Sequence, residues 1–218
     1  MGDLLVLLIP EIIGLIITPG AIVGCVLLLQ SSRPTANSCA FGGAFLLVYT
    51  QIAIAALLGG AGDPQSTSKD TSHWAGLAVG LLFLACGVWI AIRKPRSRHA
   101  APRWVGELEN VGPRGAFIMG LGLAVINPNL FIMMSGMSLI SSSGVSVSMA
   151  ILATVVLLIS AILDFVIPIG IFLLLGERAR TGLDAAKTWM IGHTRVLSLG
   201  VMFGFGALFT IRGIVNLA

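Results

Sequence analysis

The octapeptide AVINPNLF, residues 124–131, sets Asn-Pro-Asn inside an otherwise apolar run. Proline has no N–H to donate, and its ring crowds the carbonyl four residues back. A helix drawn through this stretch must therefore break or bend, and one carbonyl loses its partner. What that carbonyl then finds depends on the surroundings. The chain has 218 residues, 56% hydrophobic and only 10% charged, with a mean hydropathy of +1.00. That balance lies far outside the range of soluble domains and reads as an integral membrane protein, where no water waits at the break.

Charge-free stretches cover residues 4–32, interrupted only by Glu11, then 34–62, 71–92, 115–176, interrupted only by Asp164, and 196–211. A helix needs about 20 residues to cross the hydrocarbon, so the fourth stretch accommodates two crossings, with SSSGVS (141–146) as the turn. The expectation is one all-α transmembrane domain over 1–218 with six helices, near 4–31, 37–60, 73–92, 115–140, 147–175 and 195–216. A β-barrel is disfavoured because these runs are apolar on every face instead of alternating. The first segment lacks the basic start and small-residue cleavage site of a signal peptide and carries Glu11.

Lys and Arg set the orientation. Eleven of the 13 fall on one side: Arg33, the group Arg93, Lys94, Arg96, Arg98, Arg103 and Arg114, then Arg178, Arg180, Lys187 and Arg195. Lys69 and Arg212 fall on the other. Loops 31–36, 93–114 and 176–195 are therefore expected in the cytoplasm and both termini outside. The net charge of +4 reads as topology with a weak pull toward anionic lipid, and nucleic acid is not an expected partner.

Two halves are legible. GVWIAIR (87–93) closes the third segment and GALFTIR (206–212) the sixth, while IITPGAI (16–22) in the first corresponds to VINPNLF (125–131) in the fourth. Because each half, 1–93 and 115–218, holds three helices, the second enters from the opposite side, and the repeat is inverted. Such repeats build secondary transporters whose sites lie at mid-bilayer, where paired helices are interrupted.

Thr18 and Asn127 directly precede the two prolines, Pro19 and Pro128, and can satisfy the freed carbonyls. Gly20 and Asn129 follow them and supply conformational freedom or an amide. These positions share a depth with Gln51 in the second segment and Asp164 in the fifth. An ionisable residue in a membrane span is a functional candidate by default; Asp164 could carry a proton as the protein changes face, or stay protonated in a structural hydrogen bond. Pro168, four residues on, is expected to kink the same helix. Glu11 could pair with Arg212 near the outer surface or line an exit path. Gln51 lies two residues from Tyr49 and so on another face, and is read as the lining member of the two.

Cys25, Cys39 and Cys86 form no CxxC and read as packing residues. His73, His99 and His193 lack partners at ligand spacing, so no metal site is expected, and no cofactor either. The sequence contains no catalytic motif and no phosphate loop, and LLGGAGD (57–63) lacks the lysine; an enzyme is not expected. The basic stretch RKPRSRHAAPRW (93–104) is explained by orientation, with lipid or a partner protein as its other use. Small-residue faces such as FGGAF (41–45) suit helix packing within the chain, with a homodimer face as the alternative.

Taken with six helices, TPGA (18–21) and INPNLF (126–131) resemble the lysine-exporter (LysE) superfamily, whose members carry a Pro-Gly motif in helix one and Asn-Pro-Lys in helix four. The likeness covers nearly the whole chain; size and the long basic loop are most similar to its small glycolipid-addressing or sulfolipid-addressing (GAP/Sap) branch. That resemblance implies a bacterial inner membrane and a role in moving cell-envelope glycolipids outward beside a large lipid exporter. The motif falls on Thr18, Pro19, Gly20, Asn127 and Pro128. Ala21 replaces a second proline and Asn129 stands where amino-acid exporters commonly carry Lys, which weakens the case for a carboxylate-bearing cargo. Three readings follow: a lipid or glycolipid exporter, with Asp164 as the candidate for proton coupling; an exporter of an amino acid or small cation; and a non-transporting scaffold for a larger lipid exporter.

Overall fold

A computed structural model describes residues 2–61, 69–93 and 111–217. The basic stretch beyond Arg93, with Lys94, Arg96, Arg98, His99 and Arg103, lies outside the described residues. The described chain is helical: α1 (Gly2–Ile16), α2 (Pro19–Leu28), α3 (Pro34–Ala61), α4 (Lys69–Ile92), α5 (Pro113–Ile126), α6 (Asn129–Ser142), α7 (Val147–Leu175) and α8 (Glu177–Leu217).

The two expected breaks are present. Thr18 leaves helical geometry (φ −111°, ψ 93°) ahead of Pro19, and Asn127 does so (φ −70°, ψ 135°) ahead of Pro128. A residue before proline is pushed into the extended region, which is what ends α1 and α5. The chain bends by 41° between α1 and α2 and by 62° between α5 and α6, which makes each pair a candidate broken span. Pro168 behaves differently: α7 runs through it as one element of 29 residues. Proline alone therefore does not decide a break here; the two breaks carry a polar residue on the proline's N-terminal side, whereas Pro168 follows Ile167.

Three helices, α3, α7 and α8, are individually long and apolar enough to cross a membrane, and each bent pair adds one, while α4 contributes the shorter apolar run Leu77–Ile92. The protein is thus a multi-pass membrane protein with three to five candidate spans by length and composition. Its surface agrees. Leu58, Ile118, Val147 and Leu174 are exposed, while Glu11, Thr18, Asn37, Asn129 and Asp164 are buried. Such an arrangement fits a hydrocarbon solvent, in which apolar side chains have no reason to hide and polar ones do.

The last helix departs from expectation. The expected bounds are 195–216, yet it starts at Glu177, with only Gly176 between it and the end of α7. Gly176, at φ 53°, makes that abrupt reversal, a backbone region glycine enters at little cost. With 41 residues, α8 is about 60 Å long at 1.5 Å per residue, twice the hydrocarbon thickness. Residues 177–195 of the expected loop are a polar extension of the helix, because α-helical hydrogen bonding needs no apolar composition once Ala179 and Leu183 have the bundle core to bury against.

Packing centres on two tight seams. α3 lies along α5, and α4 lies antiparallel along α8. In the second seam glycines replace side chains: a Cβ on Gly80 would meet Thr210 N at 2.6 Å, on Gly87 Phe203 at 3.3 Å, on Gly206 Leu84 at 2.8 Å and on Gly213 Leu77 at 2.8 Å. Close backbone approach of this kind is how helices associate where lipid removes the hydrophobic drive. Between the seams, the rings of Phe41, Phe45, Tyr49 and Phe165 stack from α3 onto α7 at 5.0–6.0 Å, which holds α7 beside the broken first span.

Candidate functional site

The site grows from the two breaks. Pro19 cannot bond the carbonyl of Leu15, four residues back, and that oxygen receives two long side-chain contacts: Thr18 Oγ1 and Asn129 Nδ2, each at 3.4 Å. Asn129 Nδ2 also donates to Thr18 Oγ1. The break between α1 and α2 is thereby tied to the break between α5 and α6 by one amide, 111 residues away in sequence. On its own side, Asn129 donates its backbone N–H to Asn127 Oδ1 at 3.1 Å. Asn127 thus caps the start of α6 by a local Asx contact and does not cover a freed carbonyl as its position suggested; a side chain beside a helix start reaches the orphan N–H groups first.

The start of α2 is capped differently. Thr18 makes no cap to its own helix. Instead Asp164, on α7, meets both the hydroxyl and the backbone N–H of Thr18. The carboxyl sits at the positive end of a half-helix, a position that suits an anion and satisfies an orphan donor. Asp164 is 3% exposed and its Oδ1 has no hydrogen-bond partner, nor has the hydroxyl of buried Tyr49.

A cavity of about 270 Å³ opens against both breaks, lined by Thr18, Pro19, Gly20, Asn127, Pro128 and Asn129. Its remaining wall is apolar, from Phe45, Leu123, Val201 and Met202, apart from the hydroxyls of Thr194 and Ser198 on α8. Two lining residues, Ile17 and Ile126, are 49% and 80% exposed, so the mouth lies on the lateral surface of the bundle. Six of the residues read from sequence therefore meet at one cavity, and Asp164 supports it from behind.

Two do not. Gln51 is exposed on α3 and absent from the lining, while its neighbour Tyr49 is 1% exposed and faces the core. Neither residue of the pair lines the cavity; the Tyr49 ring is turned inward by its stack on Phe45, which leaves Gln51, two positions on, facing away from the core. Glu11 is wholly buried and pairs with Arg212 Nη1 at 2.5 Å, with Ser135 donating to the same carboxylate oxygen at 3.2 Å. It is a structural clasp between α1 and α8 and does not line the cavity. Conversely, Thr194 and Ser198 escaped the sequence reading. Their spacing of four, one helical turn, was the available signal, hidden because the expected loop 176–195 took Thr194 out of the helix that held Ser198.

Leucine in place of Asp164 removes the acceptor at the start of α2 and is expected to cost about 1–3 kcal/mol of stability, whereas asparagine keeps an acceptor oxygen and costs less than about 1 kcal/mol. Thermal unfolding in detergent reads both; equal losses would refute the capping role.

Among known proteins, the family model described as Sap, sulfolipid-1-addressing protein, matches residues 10–215, nearly the whole chain. No curated protein and no solved structure matches.

Proposed function

We propose, for a chain that belongs to the family of Sap, sulfolipid-1-addressing proteins, that it moves an amphipathic lipid or glycolipid across the membrane from the cytoplasmic side outward. The observation that carries the reading is the laterally open cavity between two broken spans. A cavity of about 270 Å³ is smaller than the usual range for drug-sized ligands, about 300–1,000 Å³, so it holds part of an amphiphile and not the whole. With Ile17 and Ile126 at its mouth, acyl chains remain in the bilayer while the head passes Thr18, Asn127, Asn129, Thr194 and Ser198. A lipid needs such a side opening; a small solute needs a closed polar one. Nor does the wall present a cationic side chain for an amino acid's carboxylate, in keeping with Asn129 at the position where amino-acid exporters carry lysine.

The architecture we infer is six crossings in two inverted halves, with α1–α2, α3 and α4 repeated as α5–α6, α7 and α8. Contacts across the α4–α8 seam support it. Gly87 meets Phe203 and Gly206 meets Leu84; since GVWIAIR corresponds to GALFTIR, each contact is the counterpart of the other under a two-fold exchange of halves. The proposed sidedness puts the end bearing Arg33, Arg93, Arg114 and the polar half of α8 in the cytoplasm. In this reading the half-helices swing about Thr18-Pro19 and Asn127-Pro128, and Asp164, which touches Thr18, couples the swing to a proton.

Protein reconstituted into vesicles with a headgroup-labelled glycolipid tests this, by following the fraction of label reached by an impermeant quencher. Asn129→Ala unties the two breaks and Ile126→Trp fills the mouth; each is expected to slow translocation about tenfold, the equivalent of one buried hydrogen bond or contact. Wild-type rates in both variants would overturn the proposal. Loss in Asp164→Asn with normal thermal stability would support the proton role, and an unaltered rate would remove it.

A further inference from the structure

The cavity-facing stripe of α8 does not stop at Thr194 and Ser198. Seven residues before Thr194, two helical turns and about 10 Å toward the basic end, the same face carries Lys187. This ammonium is not on an open surface: its side chain is 18% exposed. It donates to Gln30 Oε1 at 2.8 Å and pairs with Asp184 Oδ1 at 2.7 Å, while Gln30 Nε2 donates to the same Asp184 oxygen at 2.7 Å. Gln30 lies two residues past the end of α2. The triad therefore fastens the free end of a half-helix to α8, above the cavity that the half-helix lines.

A second clasp holds the other half of the same span. Arg212, on the same face of α8, binds Glu11 of α1 and, through Nη2, the Leu7 carbonyl at 3.0 Å. The two differ in accessibility: Glu11 is 0% exposed, whereas Asp184 is 52% exposed. A fully buried carboxylate cannot be exchanged for an outside anion without being hydrated first. A half-exposed one can, because its ion pair is screened and weak.

We propose that Lys187 is the receiving site for an anionic head group: a sulfate, phosphate or carboxylate on the lipid takes the place of Asp184 on the ammonium, and the released Gln30 frees the end of α2. Head and chain then register with the structure. The anion sits on Lys187, the adjoining polar part meets Thr194 and Ser198 two to three turns below, and the apolar part reaches the mouth at Ile126. This rests on the translocation reading given above and adds the residue that selects the cargo by its charge. An uncharged head would leave the clasp shut.

The test measures binding of two lipids with the same acyl chains, phosphatidylglycerol and phosphatidylcholine, to the full-length protein in detergent micelles. Lys187→Gln is expected to lower the anionic-to-zwitterionic affinity ratio about tenfold, the weight of one charge-assisted contact. Lys187→Arg should keep the ratio, which guards against misfolding as the cause. Asp184→Asn removes the competitor and should raise the ratio. A clasp with only a structural role would shift both Lys187→Gln and Asp184→Asn the same way, and that result, or an unaltered ratio in Lys187→Gln, overturns the proposal. Ile126→Trp separates the two readings: if it weakens both lipids while Lys187→Gln leaves the ratio alone, the receiving site fails and the cavity stands. If it weakens neither while the Lys187 and Asp184 variants shift the ratio in opposite directions, the cavity reading fails and the receiving site stands.

Discussion

Arg212→Met destabilises the bundle by about 3–5 kcal/mol, because it strips the counter-charge from a carboxylate that has no water to turn to. Glu11 is completely buried, its Oε1 engaged by Arg212 at 2.5 Å and by Ser135 at 3.2 Å, and its Oε2 already lacks a partner. The loss is the cost of a stranded charge and not the worth of the pair. Adding Glu11→Gln to Arg212→Met should therefore return most of the stability, since removing both members of a buried pair is often close to neutral. A double-mutant cycle on thermal unfolding in detergent gives the coupling directly. A double variant no more stable than Arg212→Met alone would show that the clasp is not electrostatic.

Gly80→Val is expected to cost about 3 kcal/mol or more and to lower the yield of folded protein, the upper end for overpacking. The added Cβ would stand 2.6 Å from Thr210 N and 3.0 Å from Phe209 C, both backbone atoms of α8 that no rotamer change can move. The helices would have to part along a seam that also holds Gly87, Gly206 and Gly213. Gly43→Ala is the control, for nothing lies within 4 Å of its would-be Cβ, and it should be neutral or slightly stabilising, by up to about 1 kcal/mol. Comparable losses at positions 43 and 80 would mean that helix glycines here serve flexibility and not close approach.

Both residues show how far the sequence could be read. Arg212 was legible as a cation at a segment end, and its pairing with Glu11 as one of two options, because a membrane offers a buried carboxylate few alternatives. Gly80 was not legible, since a glycine in an apolar run looks the same whether it faces lipid, as Gly43 does, or a neighbouring backbone. Thr194 and Ser198 were obscured by composition. The polar start of α8 resembles a loop, and the core contacts of Ala179 and Leu183 that keep it helical are long-range.

By itself the sequence determined that this chain is helical, lies in a membrane, and breaks at Thr18-Pro19 and Asn127-Pro128, because there a missing donor coincides with a polar neighbour that favours non-helical backbone, and both effects act locally. Only the tertiary structure decided that the two breaks touch through Asn129 and Thr18, that Asp164 caps the start of α2 from another helix, and that Tyr49 turns inward while Gln51 turns out. Those outcomes depend on the rotation of one helix about its axis relative to another, and a run that is apolar on every face carries no periodic signal that fixes that rotation.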